Sequence, residues 1–365
     1  MIENDQYTNG IPPADDYTPE EVMLRHHFLK PYAQTVDVQQ ELARFHRKQQ
    51  EGAHWNRFTV AAASFAAGVA AVVIFMFTAY PRLFPAPEKP VTVFLAASRQ
   101  ADGVTLQRAD GNFLVVDDKQ ETARLKEMGI TLHDEAGELV YDKDEATYHE
   151  EEAPQMQILT TPKQKVFSVV LSDGTEVSLN ASSQLSYPDK FTGKERVVHL
   201  RGEAYFKVAK DAEHPFIVQT PDVTTRVLGT EFNFRSYSTQ NTHVTLLSGS
   251  VQVSSGEGGA QVTIRPGEDA HLTSTGSLDV KEVDTDLFCS WKDGYFYFDG
   301  ATLVDVMREL GRWYNVDVVF NKHRAMHTAV HFTADRNAPL QEAIDLINSL
   351  DKATVRLVNN QLVVD

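Results

Sequence analysis

Three histidines fall at four-residue intervals near the C-terminal end: His323, His327 and His331. On a helix, that spacing would bring three imidazoles to one face, a set suited to a transition metal. The stretch Thr328-Ala329-Val330-His331-Phe332-Thr333 instead alternates like a strand. A strand breaks the helical face, so the spacing predicts no metal site. His26 and His27 precede Pro31 and read as exposed polar residues. The single cysteine, Cys289, has no partner for an intramolecular disulfide. No neighbouring His or Lys pattern activates it, so it reads as a small buried apolar residue. Arg265-Pro266-Gly267-Glu268 is a turn between strands before it is a site. No Walker motif, GxSxG, HExxH or CxxC occurs. Asp and Glu number 51 against 34 Lys and Arg, for a formal net charge of −17, so a chance carboxylate pair proves nothing. The expectation is a chain without catalytic residues, cofactor or metal. No long basic block is present either, which argues against nucleic acid as a direct partner.

The strongest physical signal lies elsewhere. Phe58 to Tyr80 is an apolar run of 23 residues without Asp, Glu, Lys, Arg, His, Asn or Gln. As a helix it would span about 34 Å, enough for the roughly 30 Å hydrocarbon layer of a bilayer. Trp55 and Tyr80 stand at its ends, where amphipathic rings favour the headgroups. Arg44, Arg47, Lys48 and Arg57 precede the run, whereas only Arg82 and Lys89 follow closely. That bias places the N-terminus in the cytoplasm and the larger part outside the inner membrane. A single transmembrane helix is therefore expected over 58–80.

The head, residues 1–57, holds two short helical patterns. Thr18-Pro19-Glu20-Glu21 is a helix start, with Thr18 as cap and Glu21 closing a capping box. From Asp37 onward, Val38, Leu42 and Phe45 form one apolar stripe at helical spacing. Two such short helices bury little surface alone, so the stripe is free for a partner. Residues 81–159 read as a Pro-rich spacer followed by short β segments, with turn signals at Asp102-Gly103 and Asp110-Gly111.

Residues 160–285 alternate with period two, in short runs punctuated by turns such as Asp173-Gly174, Ser248-Gly249 and Pro266-Gly267. The pattern predicts an all-β, antiparallel domain: a sandwich or jelly roll, or a solenoid-like stack. Residues 286–365 change character. Leu303, Val306, Met307 and Leu310 share one helical face, as do Leu340, Ala343, Ile344 and Ile347. With strands at 315–320 and 328–333 and a hairpin over Asn359-Asn360, the order is β-α-β-β-α-β-β, a small α+β domain.

An ordered set of local motifs carries a resemblance. It comprises Leu171-Ser172-Asp173-Gly174-Thr175, Leu179-Asn180-Ala181-Ser182-Ser183, Arg201-Gly202-Glu203-Ala204-Tyr205-Phe206, Val227-Leu228-Gly229-Thr230-Glu231-Phe232-Asn233, and Leu247-Ser248-Gly249-Ser250-Val251. Together with Pro266-Gly267-Glu268, the set resembles the FecR family of anti-sigma factors. Ser290-Trp291-Lys292-Asp293-Gly294 and the unit after it resemble the domain that follows FecR domains in members paired with SusC-like transporters. That unit is similar to the small signalling domain of secretins and TonB-dependent transducers. The resemblance implies a periplasmic part that contacts a SusC-like TonB-dependent outer-membrane transducer. It also implies a cytoplasmic head that holds an extracytoplasmic-function sigma factor, with Val38, Leu42 and Phe45 as the candidate sigma contacts. Two other readings compete. One is a membrane-anchored periplasmic glycan-binding module whose head only anchors. The other is a membrane-bound hydrolase with an unrecognised carboxylate pair.

Overall fold

The computed structural model describes Ala70 and residues 89–365, apart from 96–102, 117–120, 128–129, 134–137, 142–152, 239–241 and 257–258. The head with Val38, Leu42 and Phe45, and all of the expected span except Ala70, lie outside the described residues. Among the described residues, no helix is long and apolar enough to cross a membrane.

After an isolated first strand, β1 (Val91–Phe94), come the hairpin β2 (Thr105–Arg108) and β3 (Phe113–Val115) and the short helix α1 (Thr122–Glu127). Next are β4 (Ile130–His133), β5 (Glu138–Tyr141), β6 (Met156–Thr160), β7 (Phe167–Val170), β8 (Glu176–Leu179) and β9 (Gln184–Pro188). The long β10 (Arg196–Lys207) leads to β11 (Phe216–Gln219), β12 (Val223–Val227), β13 (Glu231–Ser236) and β14 (Thr242–Ser248). The run ends with β15 (Val251–Ser255), β16 (Gln261–Ile264), β17 (Glu268–Leu272) and β18 (Leu278–Glu282).

These strands close into a flattened barrel with two faces. One face orders as β3-β2-β6-β9-β10-β11-β12-β15-β16. The other orders as β4-β5-β7-β8-β10-β13-β14-β17-β18. β10 serves both, pairing through Arg196–Arg201 in the first and Gly202–Lys207 in the second. Phe206, Phe216, Phe232 and Phe234 fill the space between the faces, drawn from inward positions of β10, β11 and β13. The expected antiparallel ladder is broken at two places. β10 pairs with β11 in parallel, and so does β5 with β7. In the first case β10 crosses to the other face before the chain returns, so β11 re-enters running the same way. The stretch expected as a spacer supplies β2 to β5 to these faces, through pairing with β6 and β7.

The C-terminal part opens with α2 (Asp286–Cys289) and a 3₁₀ turn (Ser290–Asp293). It continues through β19 (Tyr295–Thr302), α3 (Leu303–Tyr314), β20 (Asp317–Phe320), α4 (His323–Met326) and β21 (Ala329–Asp335). It ends with α5 (Leu340–Ser349), β22 (Val355–Val358) and β23 (Gln361–Val364). From β19 onward the order is the expected one with α4 added; α2 and the 3₁₀ turn precede it. Thr302 caps α3 by accepting the Asp305 N–H, and Asn315 ends it in the left-handed region, φ 53°. Asn359 and Asn360, at φ 51° and 61°, make the tight turn between the last two strands. The main sheet orders as β1-β20-β23-β22, so its first strand comes from the N-terminal side of the barrel; β19 and β21 form a separate ribbon.

Candidate functional site at the junction of the two folded parts

The motif residues converge where the barrel meets the C-terminal part. Asn180 follows β8, Glu203 and Asn233 sit on β10 and β13, and Trp291 lies on the 3₁₀ turn. The buried Glu203 carboxylate accepts from Asn180 Nδ2 at 2.8 Å and from Asn233 Nδ2 at 3.0 Å. Asn233 Oδ1 in turn accepts the Trp291 indole N–H at 3.2 Å. Asn180 Oδ1 accepts from Arg336 Nη2 at 2.9 Å, and Arg336 Nη1 donates to the Trp291 carbonyl at 3.3 Å. The chain thus joins residues on both sides of the junction through one buried hydrogen-bonded path. Arg336 Nε is left without a hydrogen-bond partner, a cost that the bonds of its two Nη groups offset.

A second, charged layer lies beside it. Glu309 on α3 is buried and faces three guanidiniums. It pairs with Arg235 of β13 at 3.0 Å, with Arg312 one turn on, and with Arg336 at 3.6 Å. Burial alone would push the Glu309 carboxyl up. Arg312, Arg235 and Arg336 outweigh it and hold the carboxyl down to about 2. The Arg312 guanidinium lies 3.7 Å from the centre of the Tyr237 ring, and the Tyr237 hydroxyl donates to the Ala181 carbonyl at 2.7 Å. Arg336 stacks on Trp313 at 4.0 Å and on Phe296 at 4.9 Å. Ala181, a barrel residue, is counted into the C-terminal hydrophobic core, so apolar packing also crosses the boundary.

Backbone geometry supports the layer. Gly202 stands at φ +105° where β10 changes face, and a Cβ there would come within 2.7 Å of the Ser183 Cα. Only glycine fits both the angle and the space. Ser183 Oγ then accepts the Glu203 N–H at 2.9 Å. A similar clasp closes the Asp173-Gly174-Thr175 turn: Arg196 Nη1 donates to Asp173 Oδ2 at 2.6 Å, and its Nε donates to the His214 carbonyl.

Two clefts of about 430 and 530 Å³ run along the junction and share Gln164, Trp313, Arg336 and Asn337. The second reaches Leu357, which is 45% exposed on the outermost strand of the sheet. Cys289 is buried at the junction; burial, then the Glu203 charge, push its thiol up to about 12, so it stays protonated. The three spaced histidines do not come together as a set on one element. His323 opens α4, His327 ends it, and His331 lies on β21 beside Asp299. Among the described residues, no group of three or more His, Cys, Asp or Glu is placed to hold a metal.

Comparison with known proteins follows the same boundary. Residues 157–252 match the family model described as FecR protein, and residues 295–364 match the one described as FecR, C-terminal. Two crystal structures, at 1.65 and 2.50 Å, of a protein assigned as an anti-sigma factor from Parabacteroides distasonis ATCC 8503 superpose on the chain. Each is 27% identical to this chain, and each match covers 57% of this chain and 98% of the other. The TM-scores are 0.53 and 0.52. No curated protein matches the chain.

Proposed function

We propose that the chain, a member of the FecR family through both of its matched stretches, is a sigma-factor regulator that spans the inner membrane once. In this reading the folded part is periplasmic and senses an outer-membrane TonB-dependent transducer. The head, through Val38, Leu42 and Phe45, holds an extracytoplasmic-function sigma factor. The observation that carries the reading is the junction. Asn180, Glu203, Asn233 and Trp291, which lie in the motifs behind the family resemblance, are spent on joining two folded parts. An enzyme would aim such groups at an accessible reacting centre; here they face one another out of solvent. A two-part body with clefts along its seam suits recognition of a protein partner by both parts at once. The apolar stretch 58–80 supplies the route from that body to the head.

Deleting the gene and re-supplying the full chain tests this in cells. Regulation of a sigma factor predicts a discrete set of transcripts that shifts on deletion and returns with the full chain. An unchanged transcript profile, with the protein produced in the membrane, would contradict it.

A further inference from the structure

We propose that β1 is a releasable strap, the edge strand of the C-terminal sheet, whose detachment from β20 frees the chain that precedes it. Val91 stands eleven positions past Tyr80, the end of the apolar run. Eleven extended residues reach at most about 40 Å. β1 is the first strand described after the apolar run, and it belongs to the domain at the far end of the sequence. The next strand, β2, already belongs to the barrel.

The pairing is irregular on the β1 side. Val91, Thr92 and Phe94 oppose Phe320, Val319 and Val318, with an irregularity between Thr92 and Phe94. None of the four β1 residues is fully buried, whereas Val318, Val319 and Phe320 are. Leu95, immediately after, is 71% exposed. The strand's anchors are Val93 and Phe94, which pack against the C-terminal core; Phe94 also reaches α3. It fits because α3 has glycine at 311: a Cβ there would lie 2.8 Å from the Phe94 ring. A four-residue edge strand with no fully buried side chain belongs to the low-stability end of local opening, while β20 and β23 belong to the core. The barrel and the rest of the C-terminal part hold their buried junction without β1, so the strap can open while the body stays folded.

The use of the strap in signalling rests on the regulatory reading above; the opening itself does not. The test uses the full chain in membranes. Hydrogen exchange is expected to be at least about tenfold faster at the β1 amides than at β23, because the edge opens locally. Phe94→Ala is expected to raise both that exchange and chymotrypsin cleavage after Leu95, with β23 protection unchanged. A cross-strand pair of Thr92→Cys and Val319→Cys, in a Cys289→Ala background, is expected to suppress cleavage when oxidised and restore it when reduced. β1 exchanging in step with β23, or an oxidised clamp that leaves cleavage unaltered, overturns the strap. If the strap behaves as expected, its use is read separately. An oxidised clamp that blocks a transcriptional response supports the coupling. A clamp without effect on transcription, in a strain where the head still binds a sigma factor, overturns the coupling alone.

Discussion

Glu309 shows how much of the junction depends on single side chains. It is one carboxylate among three guanidiniums. Glu309→Ala leaves those cations buried without their counter-charge, and breaking a buried pair this way costs about 3–5 kcal/mol. Thermal unfolding of the folded part should register it as a clear drop in Tm. The pH dependence has a definite sign. The folded carboxyl sits at about 2, below its ordinary value. Its contribution is therefore fully present above the ordinary carboxylate range and is lost as pH falls towards 2. Acid titration of stability should be flatter in Glu309→Gln than in the parent over that window. Gly202→Ala should be damaging for a different reason, since both its angle and the Ser183 backbone reject a Cβ. Sequence reading picked out Asn180, Glu203, Asn233 and Trp291 as motif members but not as partners. Their bonds run over separations as long as 156 residues, which no local spacing encodes. Glu309 carried a readable signal: it sits between Val306 and Trp313 on the apolar side of α3, where a lone acid needs a counter-charge.

At the scale of elements, short-range patterns were the legible part. The amphipathic runs at 303–314 and 340–349, the period-two strands after residue 160 and the last hairpin could all be read locally. The turn at Asn359-Asn360 illustrates why, since asparagine tolerates the left-handed angles both positions adopt. Replacing Asn360 with Val should cost about 1–2 kcal/mol, while Asn360→Gly should be close to neutral; paired denaturation curves would separate the two. What could not be read was membership. β2 to β5 are only three or four residues long, and the two hairpins they make join the faces through β2 on β6 and β5 on β7. β1 pairs with a strand more than 200 positions away, at Asp317–Phe320. Nothing in a four-residue stretch such as Val91-Thr92-Val93-Phe94 says which domain it will complete.

At the scale of the whole molecule, the proposal needs a chain with its folded part on one side of a membrane and its head on the other. In a Cys289→Ala background, a single cysteine placed at Lys281, an exposed barrel position, should react with an impermeant maleimide once the outer membrane is opened. One placed at Asp16 should react only after the inner membrane is breached. Reversed labelling would invert the orientation read from Arg44, Arg47, Lys48 and Arg57. The central claim is that the head holds a sigma factor, and its most direct test is co-purification. The full chain, tagged at its C-terminus, is to be solubilised gently from membranes of its own source cells and the retained proteins identified. The proposal predicts that a sigma factor co-purifies and is lost with Leu42→Asp or Phe45→Asp at unchanged yield of the chain. Absence of any sigma factor from the intact chain, or equal retention by both variants, would contradict it.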